Sequence, residues 1–135
     1  MARRAVPPRD SDRDGTRMNS TRAAQSQAVR RLGEVMEETS IDVSGVARIL
    51  GKDPKTVQRW LRSGTQPQWE VRETVLALNV VVEKLAEVVG PFSAEDWLFT
   101  PVPALDFHRP ADFIRDGRSR EVLTLIDSIA EGVFV

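Results

Sequence analysis

The chain has no cysteine, so disulfides and thiolate chemistry are excluded, and a cytoplasmic location fits by default. It has a single histidine, His108, set between Phe107 and Arg109 in a proline-bounded stretch. Asp106 and Asp112 lie near it, but not at a spacing that organises a catalytic pair. Gly-rich phosphate loops, metal-ligand clusters and nucleophile motifs are also missing. These absences describe a binder rather than an enzyme, with no catalytic residue, metal or cofactor expected. No apolar run is long enough to span a membrane; the densest, Val80–Val82, is ended by Glu83. The opening MARRAVPPRD carries arginines without a following apolar stretch, so it does not read as a secretory signal. Internal repeats and low-complexity tracts are absent.

What is present fits one medium domain or two very small ones in 135 residues. A net charge of −1 hides a split. Met1 to Gly64 holds 13 Lys+Arg against 8 Asp+Glu, and Thr65 to Val135 holds 6 against 12. A basic front suits a phosphate partner and an acidic rear does not. Two functions on one chain is the natural reading.

The front is organised around Val43–Gly64, VSGVARILGKDPKTVQRWLRSG. Val43, Val46, Ala47 and Leu50 recur at helical spacing. Gly51 follows where a left-handed residue ends a helix, Asp53 is placed to cap a second one, and Pro54 suits its first position. That second helix buries Val57, Trp60 and Leu61. The small Ala47, Gly51 four residues later and Val57 six after that resemble the helix-turn-helix of phage-type repressors. Lys52, Lys55, Thr56, Gln58, Arg59 and Arg62 would then face DNA. Arg and Lys can reach guanine, Gln can pair with adenine, and Thr can touch phosphate or a thymine methyl. Gln58 and Arg59 are expected at base edges, and Lys52, Lys55 and Arg62 on phosphates. An ordinary αα-hairpin with a solvated basic face is the plainer alternative.

Taken in order, the chain divides into four. Residues 1–20 are rich in Arg, Asp and Pro and read as a disordered arm, or as an extension ahead of a start at Met18. Residues 21–64 form the DNA-binding domain: a helix from Ser20 or Thr21 to about Thr39–Ser40, with Val29, Leu32, Val35 and Met36 inward, then the helix-turn-helix, its first helix capped by Asp42. Residues 65–90 are a long central helix from about Gln68 to Val89. Its positions Val71, Val75, Leu78, Val82, Leu85 and Val89 form a seam at alternating steps of four and three. Trp69, Leu76, Val80, Val81 and Val88 lie largely off that seam, so more than one face needs covering. The helix is either the centre of a small bundle or also meets a copy of itself; self-association is expected through faces the bundle leaves uncovered, with Val81 as the position to test. Gly90-Pro91 ends the helix. Residues 91–135 hold short helices: one with Ser93 and Asp96 as a capping box, one opened by Pro110, and a last from about Ser119 to Ala130, with three prolines forbidding helix in TPVPALDFHRP. The fold class expected is all-α.

The C-terminal part carries the more specific pattern: Trp97-Leu98, Pro101, Ala104-Leu105, Pro110, Ile114, Gly117, Val122, Leu125-Ile126, then Gly132-Val133. This is similar to the toxin-binding domain of the MbcA/ParS/Xre antitoxin family, and with the helix-turn-helix upstream the resemblance covers roughly Ala28 to Val135. It departs from the family at Phe107 and His108, where many members carry small or polar residues. The resemblance implies an antitoxin that blocks a RES-domain toxin, an enzyme that destroys NAD, and represses its own operon. The partners implied are that toxin and operator DNA, with a homodimer or a larger hetero-oligomer with toxin, and no membrane.

Toxin contact is expected of Trp97, Pro101, Leu105, Phe107, Phe113, Gly132, Val133, Phe134 and Val135. Three prolines stiffen the loop and lower the entropy lost on binding, and aromatics are favoured anchors. Trp97 and Phe113 also suit the core, which leaves Phe134 as the better partner contact. Two other readings compete: a plain helix-turn-helix regulator whose C-terminal domain only dimerises or senses a ligand, and a pure enzyme inhibitor whose helix-turn-helix is a relic.

Overall fold

A computed structural model describes residues 27–132. The expected N-terminal arm, the start of the first helix and the tail Val133–Val135 lie outside the described residues. Within them the chain is all-α. Helix α1 runs through residues 27–38, followed by α2 (Val43–Leu50), α3 (Pro54–Ser63), α4 (Trp69–Val89), α5 (Ala94–Leu98), a 3₁₀ turn (Pro103–Leu105), α6 (Pro110–Arg115) and α7 (Ser119–Ala130).

The helix-turn-helix forms as its residues dictate. The Asp42 carboxylate accepts from the Gly45 N–H at 2.8 Å and starts α2. Gly51, at φ +67°, ends it; its own N–H bonds to the Arg48 carbonyl, and the Lys52 N–H reaches back to the Ala47 carbonyl at 2.9 Å. Asp53 caps α3 through the Lys55 N–H at 2.8 Å, with Pro54 in the first turn. Val57 and Trp60 are buried between the helices, while the basic side chains of α3 stay outside.

Helix α4 is the spine. Its seam residues Val75, Leu78, Val82 and Leu85 are fully buried, with Val71 and Val89 packed at the edges. Helix α1 runs parallel to it: Asn79 Nδ2 donates to the Ala28 carbonyl, Arg31 pairs with Glu83, and the Ser40 N–H donates to the Pro91 carbonyl. Helix α7 packs on another side of α4, and α5 and α6 close the end near α2. One continuous hydrophobic core results, reaching from Ala28 to Ile126.

Two expectations need correction. Val81 has no exposed surface; α4 is covered on more sides than its seam suggests, so Val81 is core and takes no part in an outward face. The outward apolar residues of α4 are Trp69, Leu76 and Val80. The capping box at Ser93 does not form either: Ser93 makes no side-chain cap bond. Its backbone is already in the right-handed helical region (φ −102°, ψ −6°), whereas a capping side chain needs the extended conformation to turn back onto the first amides.

Candidate functional site

Two surfaces stand out, and they are built by different means. On the first, α3 projects Lys55, Gln58, Arg59 and Arg62 into solvent, with Lys52 exposed in the turn before it and Thr56 half-buried beside them. Regular helical period alone places them on one face. The Ser63 hydroxyl and Gly64, at φ +71°, finish the helix. Of the six side chains expected to face DNA, Lys55, Gln58, Arg59 and Arg62 share one exposed face of α3, and Lys52 and Thr56 flank it.

The second surface is the loop between α5 and α6. Val102 and His108 form an isolated antiparallel bridge, and the turn they close is tightly bonded. The Phe107 N–H donates to the Val102 carbonyl at 2.9 Å and the His108 N–H to the Leu105 carbonyl at 3.0 Å. Asp106 and Phe107 both sit in the left-handed region, at φ +55° and +63°. Cβ-bearing residues enter that region at a cost of about 1–2 kcal/mol each. The outcome of that strain is an aromatic ring pointed outward: Phe107 is 71% exposed. The bridge and the turn's hydrogen bonds hold that strain in place around the exposed ring.

The remaining expected contact residues divide by burial. Pro101 and Gly132 are exposed, Trp97 is half-buried, and Leu105 and Phe113 are buried. Leu105 and Phe113 therefore hold the loop from beneath. The Arg118 guanidinium stacks on the Phe113 ring at 4.1 Å, and His108 meets the same ring edge-on at 6.2 Å. Asp112 accepts two bonds from Arg109 and a third from Arg115 at 3.0–3.1 Å. The hydrogen bonds from Arg109 hold its carboxyl below the usual carboxylate range, against a desolvation effect of opposite sign. Val133, Phe134 and Val135 lie outside the described residues. Among those residues no three His, Cys, Asp or Glu side chains gather where a metal could sit, and no helix is long and apolar enough to cross a membrane.

Sequence reasoning missed the contacts that tie the two surfaces together. Arg48 of α2 lies over the Phe99 ring at 4.0 Å, and Glu95 Oε2 accepts from the Asp42 N–H at 3.2 Å. One signal was available, Gly45 inside α2, where a glycine weakens a helix unless something needs the space.

Fold and surfaces define a class: an all-α protein in which a helix-turn-helix is built onto a second helical unit bearing a strained, aromatic loop. Residues 84–132 match the Antitoxin Xre/MbcA/ParS C-terminal toxin-binding domain. The chain is 37% identical over 118 residues to the Mycobacterial cidal antitoxin MbcA of Mycobacterium tuberculosis and of Mycobacterium bovis, spanning 87% of this chain and 98% of those proteins. A chain in the crystal structure of the M. tuberculosis MbcT–MbcA toxin–antitoxin complex superposes with a TM-score of 0.71 at 34% identity, covering 79% of this chain and 96% of that one. The protein belongs to the Xre/MbcA/ParS antitoxin family.

Proposed function

We propose that this protein is the antitoxin of a toxin–antitoxin pair, which binds and silences a RES-domain, NAD-degrading toxin and represses its own operon. The observation that carries the reading is the similarity, over most of the chain, to an antitoxin found in a complex with its toxin. Residues Trp97, Pro101 and Phe107 offer the toxin an aromatic and proline-stiffened surface, with Leu105 and Phe113 supporting it from below. Gly132, exposed and at φ +78°, turns the chain out of α7, so that Val133–Val135 can enter the toxin's cleft. An acidic C-terminal half complements a cleft made positive to hold a dinucleotide's phosphates.

The α3 stripe reads operator DNA, with Gln58 and Arg59 at base edges and Lys52, Lys55 and Arg62 on phosphates. One helix-turn-helix offers too little contact, so a homodimer on an inverted repeat is expected, its half-sites about one helical turn apart. Trp69, Leu76 and Val80, exposed at helical spacing on α4, are the apolar stripe through which two copies associate. The test is co-expression with the product of the neighbouring reading frame, scored by growth rescue, cellular NAD and co-elution, alongside salt-dependent binding to the upstream DNA. Rescue without DNA binding leaves a pure inhibitor, and DNA binding without rescue leaves a plain regulator. Truncation after Glu131 tests the tail: an unchanged melt with full inhibition removes it from the mechanism.

A further inference from the structure

Helix α2, the first helix of the helix-turn-helix, is tied to the C-terminal half at its N-terminus and in its middle. A helix N-terminus is often closed by a reciprocal pair: the capping side chain takes the third residue's amide, and a carboxylate at that third position takes the cap's own amide. Here Asp42 does the first, bonding the Gly45 N–H at 2.8 Å. The third position is Gly45, which has no carboxylate. The missing acceptor arrives from 53 residues away: Glu95 Oε2, on α5, takes the Asp42 N–H at 3.2 Å. Gly45 makes the room for it, since a Cβ there would lie 2.6 Å from that oxygen. In mid-helix Arg48 stacks on Phe99. At the C-terminus the Arg115 side chain of α6 comes within 3.5 Å of where a Cβ on Gly51 would stand. The Glu95 carboxylate at the positive end also matches the helix dipole.

We infer that Glu95 is a positioning residue for DNA reading: it completes the cap of α2 from the toxin-facing half and fixes the tilt of the α2–α3 pair on the rest of the molecule. This rests on the operator-binding dimer proposed above. In such a dimer the spacing of two α3 helices is set through α4, so a loosened joint degrades fit to two half-sites but not contact with DNA in general. Trp97 lies two residues from Glu95 on the same short helix α5. Toxin docking at Trp97 and operator binding at α3 therefore act on one joint, and by linkage each alters the other's affinity by the same factor.

The experiment measures the full chain on its own upstream duplex and on a random duplex of equal length. Glu95→Ala is expected to weaken operator binding three- to tenfold and to leave random DNA unchanged or slightly tighter, since a negative charge is removed. Loss on the operator alone is thus opposite in sign to a plain charge effect. Gly45→Ala expels the Glu95 carboxylate while improving helix propensity; it should keep the melting temperature and reproduce the operator loss, and the double variant should be no worse than either single. Adding Gly45→Glu to Glu95→Ala rebuilds the cap from within α2, restoring the melting temperature but not operator affinity. If operator affinity returns with the melt, Glu95 is only a cap and the inference is overturned; equal operator binding by wild type and Glu95→Ala overturns it too. A wild-type chain that does not prefer its operator defeats the DNA reading instead. The joint is then read from amide exchange: an Asp42 N–H protected in wild type and unprotected in Gly45→Ala upholds it, and no difference removes it.

Discussion

The α2–α3 pair and the segment from Phe92 to Arg118 present side chains by opposite means. In α2–α3 the helix ends are set within a few residues, by Asp42, Gly51 and Asp53, with one amide, that of Asp42, taken by α5, and the exposed set follows from helical period. In the later segment the helices are only five and six residues long and have no side-chain cap. Helices that short do not hold themselves in water; buried Leu98, Leu105 and Ile114 hold them. The first surface is therefore specified locally and the second by tertiary packing. Substitutions on the first should change what is read and little else, while those on the second should couple recognition to stability.

The largest effect is expected where both regions share a support. Val81→Glu puts a charge at a fully buried position of α4 with no partner, a cost of roughly 3–5 kcal/mol. The chain should be insoluble or unfolded, losing both surfaces together. Val80→Glu, one residue earlier and 47% exposed, should keep the fold and melting temperature and yield a monomer by light scattering. A soluble dimer from Val80→Glu would place self-association elsewhere.

Phe107 and Arg59 separate the two kinds of surface more finely. Phe107→Gly releases left-handed strain of about 1 kcal/mol and removes an exposed ring. The melting temperature should rise while toxin affinity falls by about 2 kcal/mol, the scale of an aromatic anchor. A fall in both would mean that the ring packs on its own domain. Arg59→Ala has no such coupling: its melt should be unchanged, with a loss of about 1–3 kcal/mol on the operator and much less on random DNA. Equal loss on both duplexes would make Arg59 a phosphate contact.

The same contrast explains what the sequence made legible. The boundaries of α2, α3 and α4 follow from Asp42, Gly51, Asp53-Pro54 and Gly90, since caps and breakers act locally. The α3 stripe was readable for the same reason. Ser93 misled because a capping pattern specifies a helix start only when the backbone before it is extended, and here the preceding Gly90 turn sets it otherwise. Val81 misled because a two-sided helix does not reveal which sides its own chain will cover. The turn at Asp106–Phe107 left no local mark, as neither residue is a glycine; the loop's prolines and aromatics and its likeness to a family pointed to it as a contact surface, but not to its left-handed backbone. Glu95 was invisible because its partner lies across the fold; Gly45 alone hinted that α2 gives up helix stability for room.

The smallest expected effect tests whether the later segment is pinned partly by charge. Asp112 bonds Arg109 and Arg115 at 25% side-chain exposure, and its folded pKa is lowered, first by the Arg109 hydrogen bonds. A depressed carboxylate stabilises the fold above its unfolded value of about 3.9. That contribution is lost as pH falls through this value towards the lower folded one. Solvent screening at a part-exposed site limits it to about 0.5 kcal/mol. Asp112→Asn should therefore melt slightly below wild type at pH 7, and the gap should close below about pH 4. Amide exchange in α6 should show the same convergence while α3 does not respond to the substitution. A gap that is constant across pH would assign Asp112 a neutral hydrogen-bonding role, and a response in α3 as large as in α6 would mean that the segment and the helix-turn-helix yield to acid as one unit.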